Sequence, residues 1–386
     1  MRLRWQKTGL SIVIAYVTAS SFGVRTQAQQ SSEHPYRVMD KRQVSFEGPG
    51  RGTESDIAGA TIRIGLLLPL EGPRAEQGKL LLDAAQITVD QANVEIPAGG
   101  GRASYALAVR SESEQWGRAS NAIVELILQE QVVALVTSVE GKIAHQAEQI
   151  VNKLGAPVLT LSSDPTTTEI NIPWIFRVVP SDREQAKAIV ASIDRDEKPH
   201  RVLLIAEGDY DGRMGADEFV RAASSAGKAP PGRLEVDERN VSAEDLALKI
   251  DLSQADVVVV WSGSRVSRVA VSAVSKHKPI LTLYLAGKAT EFLTETAAGV
   301  SILGPALEND RFSKAYRQKT GADPVLAARQ INLAVQSVID TTRVVGANRA
   351  RIRDYLASGA GIGLATEEAS FDPAGNLLRG TPRSSY

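Results

Sequence analysis

Carboxyl, hydroxyl and amine side chains gather just after the strand-like segments of this chain, and they are the residues best placed to do chemistry. Ser138, Glu140 and Gly141 follow VVALVT (132–137), and Ser162, Ser163 and Asp164 follow PVLTL (157–161). Asp209, Tyr210 and Asp211 follow RVLLIA (201–206), Ser262 and Ser264 follow DVVVVW (256–261), and Ala286, Gly287 and Lys288 follow ILTLYL (280–285). Such groups can hold a small polar molecule by hydrogen bonds and charge. They do not add up to a catalytic set. There is no GxSxG elbow, Ser262-Gly263-Ser264-Arg265 lacks its glycine spacing, and no GxGxxG or Walker sequence follows a strand. The chain has 0 cysteines, which removes thiol nucleophiles, disulfides and cysteine metal sites. His34, His145, His200 and His277 are scattered; His145 and Glu148 stand three apart on a helical segment and, with no second pair nearby, read as a surface pair. Neither a cofactor nor a metal is expected.

The elements that would position these groups alternate regularly. IRIGLLLPLEGPRAEQG (62–78) opens with a nearly continuous apolar run, Ile62, Ile64, Leu66, Leu67 and Leu68, as expected of a parallel strand covered on both faces. Pro69 and Gly72-Pro73 stop it, and Leu81, Ala84, Ala85, Val89 and Ala92 then recur at helical spacing. Ligands of open parallel sheets bind beyond the carboxyl ends of the strands, so the loop from Leu70 to Gly78 should border a site. Further strands are expected at 105–110, 132–137, 157–161 and 175–179, with helices near 116–131, 141–154 and 183–193, the last capped at Ser181-Asp182. A second series places strands at 201–206, 234–240, 256–261 and 280–285, with helices near 213–226, 242–252 and 265–276. Residues 310–358 read as helical with Gly321-Ala322-Asp323-Pro324 between helices, and SFDPAGNLL (370–378) reads as a β-hairpin. Two strand–helix series imply an α/β protein with two doubly wound lobes.

Composition narrows the class. At 43% hydrophobic and 23% charged residues the chain is an ordinary globular protein long enough for two cores. Arg2, Arg4 and Lys7 precede an apolar run from Gly9 to Val24, and Thr26-Gln27-Ala28 offers a small-residue cleavage site, so residues 1–28 read as an export signal cut after Ala28. The run is interrupted by Thr18, Ser20 and Ser21 and is short for a bilayer anchor. Residues 29–60 read as a polar leader, its GPGRG (48–52) a linker and not a phosphate loop, since no strand precedes it. The net charge of −1 becomes more acidic once Arg2, Arg4, Lys7 and Arg25 leave, which gives no reason to expect a nucleic-acid partner. With 5% aromatics, an aromatic sugar clamp is disfavoured, and Trp116, Trp174 and Trp261 read as packing residues.

In this order the pieces resemble the periplasmic type I solute-binding proteins, the branched-chain amino-acid and amide receptors of ABC transporters, of which the Leu/Ile/Val-binding proteins are typical. The resemblance rests on IRIGLLLPLEGP with Gly78, APVLTLSSDPTTTE (156–169), PWIFRVVPSDREQAKAI (173–189), GRMGADEF (212–219), DVVVVW and SFDPAGN (370–376), and spans residues 61 to about 380. It implies two Rossmann-like lobes with parallel sheets, joined by three hinge crossovers near 180, 287 and 350–365. Lobe 1 would comprise 61–179 plus 288–350, and lobe 2 180–287 plus 351–380. It further implies a monomeric periplasmic receptor, not an enzyme, that closes on a small solute and presents it to an ABC permease in the inner membrane. A ligand sensor reporting to a signalling partner and a periplasmic α/β hydrolase are the alternatives.

The resemblance also locates departures from the amino-acid clamp. In relatives, hydroxyls after the third and fourth strands hold the α-carboxylate; Ser162 and Ser163 keep the second cluster, but Glu140 stands where the first hydroxyl would be. An ionised Glu140 would repel a carboxylate and leave a charge unpaired in a closing cleft. The Tyr-Gly-Arg of relatives becomes Asp211-Gly212-Arg213 with Tyr210 shifted by one, and Ala286 replaces the acid expected to pair the α-ammonium, with Lys288 two residues on. The expected solute is therefore an amine, an amide or another small polar molecule in place of a plain branched-chain amino acid. The expected contacts are Ser138, Glu140, Gly141, Ser162, Ser163, Asp164, Tyr210, Asp211 and Lys288.

Overall fold

A computed structural model describes residues 56–59, 61–95, 103–112, 116–170, 172–196, 198–275, 281–290, 300–304, 310–359, 362–364, 367–372, 374–378 and 383–385. The expected signal peptide (1–28) and nearly all of the polar leader (29–60) lie outside them. The first series comprises β1 (Thr61–Leu68), α1 (Ala75–Val94), β2 (Ser104–Ser111), α2 (Trp116–Leu128), β3 (Leu135–Thr137), α3 (Gly141–Leu154), β4 (Val158–Thr160), α4 (Thr166–Glu169) and β5 (Ile175–Arg177). The second comprises α5 (Asp182–Ile193), β6 (Val202–Glu207), α6 (Tyr210–Ser225), β7 (Gly232–Val236), α7 (Ala243–Ser253), β8 (Val257–Trp261), α8 (Ser264–Ser275), β9 (Thr282–Ala286) and β10 (Val300–Gly304). The rest comprises α9 (Asp310–Thr320), α10 (Leu326–Val345), α11 (Arg349–Ala357), β11 (Ile362–Leu364), β12 (Glu367–Phe371), β13 (Leu377–Leu378) and β14 (Arg383–Ser385). Among the described residues no helix is long and apolar enough to cross a membrane.

Two large sheets result, one per lobe, beside a small antiparallel sheet of order β11-β12-β13. The first has the order β2-β1-β3-β4-β5 and is wholly parallel; the second has the order β14-β10-β9-β8-β6-β7, parallel except for β14. Each strand's alternation serves two cores. Ile62, Ile64, Leu66 and Leu68 of β1 pack under α1 and α10, while Leu67 faces the opposite cluster formed with α2 and α3. In β8, Val258 and Val260 face α7 and α8, whereas Val257, Val259 and Trp261 face α5 and α6. A strand buried on both faces must be apolar at every position, which is why these segments read as continuous runs.

Local signals act as written. Ser181 and Glu184 form a reciprocal capping box that starts α5. Gly78 lets α1 lie against the end of β1, since a Cβ there would come within 2.1 Å of the Pro69 carbonyl oxygen. SFDPAGNLL forms the expected hairpin, β12 antiparallel to β13, with Asp372 Oδ1 accepting from the Ala374 and Asn376 amides at 2.9 and 2.8 Å. Several boundaries differ by a few residues. α6 begins at Tyr210 because Asp209 caps it, accepting from the Gly212 amide at 2.7 Å; β3 is confined to Leu135–Thr137; and β7 lies at 232–236 instead of 234–240.

The division between lobes also needs correcting. Residues 288–350 were expected in lobe 1, yet β10 pairs with β9 and extends the second sheet. Residues 351–380 were expected in lobe 2, yet Ile352, Leu356 and Phe371 are buried in the first lobe's core. The guanidinium of Arg353 donates to the Pro173 carbonyl at 2.8 Å, and that of Arg349 donates to the Val132 and Ile127 carbonyls at 2.8 and 2.7 Å, fixing α11 there. The chain therefore passes between lobes from β5 to α5, from β10 to α9 and from β13 to β14; only the first passage falls at its expected place, near 180.

Candidate functional site

In the first sheet β1 lies between β2 and β3, so the connections after β1 and β3 leave in opposite directions; in the second, β6 lies likewise between β7 and β8. Crevices form at such switch points, beyond the carboxyl ends of the strands. Arg74 follows β1, and Ser138, Glu140 and Gly141 follow β3. From the other lobe, Asp209, Tyr210 and Asp211 follow β6, and Ser262 to Ser264 follow β8. The two switch points meet. The Gly141 amide donates to Asp211 Oδ1 at 3.1 Å, and the Gln77 side-chain amide donates to Ser264 Oγ at 3.1 Å.

At the centre stands the ammonium of Lys288, carried by a single helical turn (Gly287–Thr290) after β9. It lies 3.1 Å from Glu140 Oε2, 2.6 Å from Asp209 Oδ2 and 3.1 Å from Asp211 Oδ2. Glu140 also pairs with Arg74, which reaches Glu112 Oε1 at 3.3 Å, and the Ser138 hydroxyl donates to Glu112. The expectation that Glu140 would leave a charge unpaired is thus corrected: two cations face it. Burial pushes its carboxyl up, but the charges of Lys288 and Arg74 together outweigh that and hold it below its usual range. Burial alone would lower Lys288; the surrounding carboxylates reverse this and hold it well above its usual value. The acids of this cluster outnumber its cations. Burial, reinforced by the charges of Glu140 and Asp209, pushes Asp211 up to about 8, and burial pushes Glu112 up to about 7. Beside them Glu207, also raised by burial to about 7, accepts from the Gly263 amide at 2.6 Å. Oxygens of Glu140, Asp209 and Asp211 lie within 4.8 Å of one another, a spacing that could hold a metal ion, but the Lys288 ammonium sits among them.

A second cluster flanks the first. His145 is not the surface residue expected: Nδ1 meets Glu148 Oε1 at 2.6 Å and Nε2 meets Asp164 Oδ2 at 2.9 Å. Burial would lower the ring, but hydrogen bonds to Asp164 and Glu148 outweigh it and raise His145 to about 10. Asp164, pushed up by burial but pulled down harder by His145 and Thr166, falls to about 2. The Tyr210 hydroxyl crosses from the second lobe to donate to Asp164 Oδ2 at 2.9 Å.

Of the expected contacts, the structure brings Glu140, Gly141, Asp211 and Lys288 into one cluster, with Ser138 joined through Glu112 and Asp164 with Tyr210 alongside. Ser162 and Ser163 serve the protein's own turn: Ser162 Oγ accepts from the Asp164 amide at 3.2 Å, and the Ser163 carbonyl accepts from the Asp182 amide at 2.7 Å. Trp174 and Trp261 are packing residues, 0% and 1% exposed, and the Trp261 indole donates to Asp182 Oδ1 at 3.0 Å. Sequence reasoning missed Arg74 and Glu112. Arg74 lies in the loop from Leu70 to Gly78 that was expected to border a site, though the residue was not singled out, and Glu112 follows β2, whose end was not considered. A cavity of about 430 Å³ on the second lobe, lined by Val190, Ile193, His200, Phe219, Lys228 and others, shares none of the cleft residues.

Two parallel α/β lobes whose switch points meet across a charged cleft define a two-lobe solute receptor. The chain belongs to the periplasmic binding protein family, whose family model matches residues 61–346; it is a solute-binding protein of the ABC-transporter class, whose members are periplasmic and work with permeases. It is 23% identical over 348 residues to Leu/Ile/Val-binding protein homolog 7 of Brucella abortus (strain 2308), covering 83% of this chain and 86% of that protein. The fold matches the branched-chain amino acid transporter substrate-binding protein LivJ from Streptococcus pneumoniae in complex with isoleucine, with a TM-score of 0.69, 18% identity and coverage of 84% and 100%. It also matches a solute-binding protein of an ABC transporter from R. palustris in complex with benzoate, with a TM-score of 0.71, 15% identity and coverage of 84% and 95%. At these identities the structural matches establish the fold alone.

Proposed function

We propose that the chain is exported, loses residues 1–28, and carries a small polar solute bearing a cationic amine to the permease of an ABC importer. The observation that supports this is the surplus of acid in the cleft. Glu112, Glu140, Asp209 and Asp211 share Lys288 and Arg74, and Glu112 and Asp211 are pushed up to about 7 and 8. A carboxyl raised this way lacks positive charge, and a solute cation would supply it. A bare carboxylate such as the benzoate of the R. palustris relative would add one more negative charge to a cluster whose acids already outnumber its cations. The hydrolase alternative is disfavoured: His145 Nε2 meets the Thr166 hydroxyl at 3.0 Å, but a ring held protonated to about pH 10 cannot accept its proton.

The test is a thermal-shift screen followed by calorimetry, using primary amines and diamines, amides, leucine, isoleucine, valine and benzoate. A ligand that prefers the native state raises the melting temperature. Amines should do so; micromolar binding of leucine, isoleucine, valine or benzoate overturns the proposal.

A further inference from the structure

Lys288 does something a cleft-lining cation need not do: it reaches across the cleft. Its Nζ contacts four carboxylate oxygens, two from Glu140 at 3.1 and 3.3 Å, one from Asp209 at 2.6 Å and one from Asp211 at 3.1 Å. Asp209 and Asp211 belong to its own lobe, at the start of α6; Glu140 belongs to the other, at the start of α3. Its side chain is only 10% exposed, so the contact is enclosed. The backbone beneath it is fixed: Gly287, at φ 64°, donates its amide to Gln185 Oε1 at 2.9 Å. The stem above that anchor is four flexible carbons, which lets the ammonium leave without the loop moving.

We propose that the Lys288 ammonium is a built-in stand-in for the solute's cation, holding the lobes together when no solute is present and yielding the acidic triad when one arrives. This rests on the amine reading above. The triad's oxygens lie within 4.8 Å of one another and all three carboxylates already meet the one ammonium, so a second cation placed among them would sit against a like charge. A solute amine must therefore replace Lys288. Because the competitor is tethered, its local concentration is high and constant, so an amine binds wild type more weakly than it would bind a cleft without Lys288, and additional contacts favour one solute over another. Lys288 thus sets specificity as well as closure. The contacts of Arg74 with Glu140 and Glu112 lie within the first lobe.

The experiment compares full-length wild type, Lys288→Met and Glu140→Gln by small-angle X-ray scattering without solute, and by calorimetry with methylammonium and 1,4-diaminobutane as probes. Wild type should scatter as a closed particle, and both variants should show a larger radius of gyration. Lys288→Met should bind at least one probe tenfold or more tighter than wild type; Glu140→Gln, which loses a carboxylate, should not. Identical scattering from all three proteins overturns the tie, and a Lys288→Met protein that opens without gaining amine affinity over an amine-binding wild type overturns the competition. If neither wild type nor Lys288→Met binds an amine while Lys288→Met still opens, the tie is upheld and the amine reading falls. Glu140→Gln cuts the same tie while leaving the Lys288 lobe intact, so poor folding of Lys288→Met does not remove the test.

Discussion

The Asp164 carboxylate joins two lobes through one oxygen. Oδ2 accepts from Tyr210 of the second lobe and from His145 of the first, and His145 is turned toward it by Glu148. Hydrogen bonds to a charged acceptor contribute about 1.5–3 kcal/mol when buried. Tyr210→Phe should therefore weaken solute binding by roughly ten- to a hundredfold, because the bond belongs to the closed form that holds the solute, while each lobe's own core is untouched. Calorimetry against the solute found in the screen, alongside urea unfolding, separates the two effects. A variant with unchanged affinity would show that this bond does not contribute to closing. Little of this was legible beforehand. The sequence placed His145 and Glu148 on one helix turn, but the partner that makes them a partly buried triad lies 19 residues further on, and Tyr210 lies 65 residues away. Charge pairs of that kind depend on which strand ends the topology brings together, so Glu140 looked unpaired until Arg74 and Lys288 were placed beside it.

At the scale of elements, far more was written in the chain. Runs such as VVVVW and IGLLL can only be strands buried on both faces, and Ser181 with Glu184 announces the start of α5. What escaped was β10, β11 and β14, together with the lobe assignment of α11. Arg383–Ser385 carries no strand pattern of its own; its place is supplied by pairing with β10. The amphipathic face of α11 fits either lobe on paper, and it is the carbonyls of Ile127, Val132 and Pro173, waiting for Arg349 and Arg353, that decide. One glycine in the recognised GRMGADEF segment has a testable packing role. A Cβ on Gly215 of α6 would come within 1.9 Å of Trp261 Nε1, and Trp261 is itself held by Asp182 at 3.0 Å. Overfilling such a contact costs about 1–3 kcal/mol. Gly215→Ala should lower the urea midpoint accordingly, whereas Gly117→Ala, where a Cβ meets nothing within 4 Å, should not. Equal midpoints for the two variants would show that α6 and Trp261 can move apart freely.

For the whole molecule, the acid surplus implies an unusual dependence of stability on pH. Asp211 at about 8, and Glu112, Glu207 and Glu148 at about 7, are raised chiefly by burial, so between their unfolded values near 4 and these folded values the native state binds more protons than the unfolded chain. Their contribution is greatest at the acidic end of that window and is lost as pH rises through 7 to 8. Asp164, lowered to about 2, acts in the opposite sense: what it contributes is present above its unfolded value and is lost as pH falls toward 2. His145, raised to about 10, adds stability that is complete below about 6.5 and disappears only as pH climbs toward 10. Together the raised acids and His145 give a decline in stability as pH rises from about 5 to 8 that a protein whose acids are fully paired would not show. Urea midpoints measured from pH 4 to 9 should trace that slope, and Asp211→Asn combined with Glu112→Gln should flatten it by removing two of the groups that must otherwise ionise in place. A wild-type profile level from pH 5 to 8 would show that the cleft carboxyls are already compensated, and with it the case for a cationic solute would lose its physical basis.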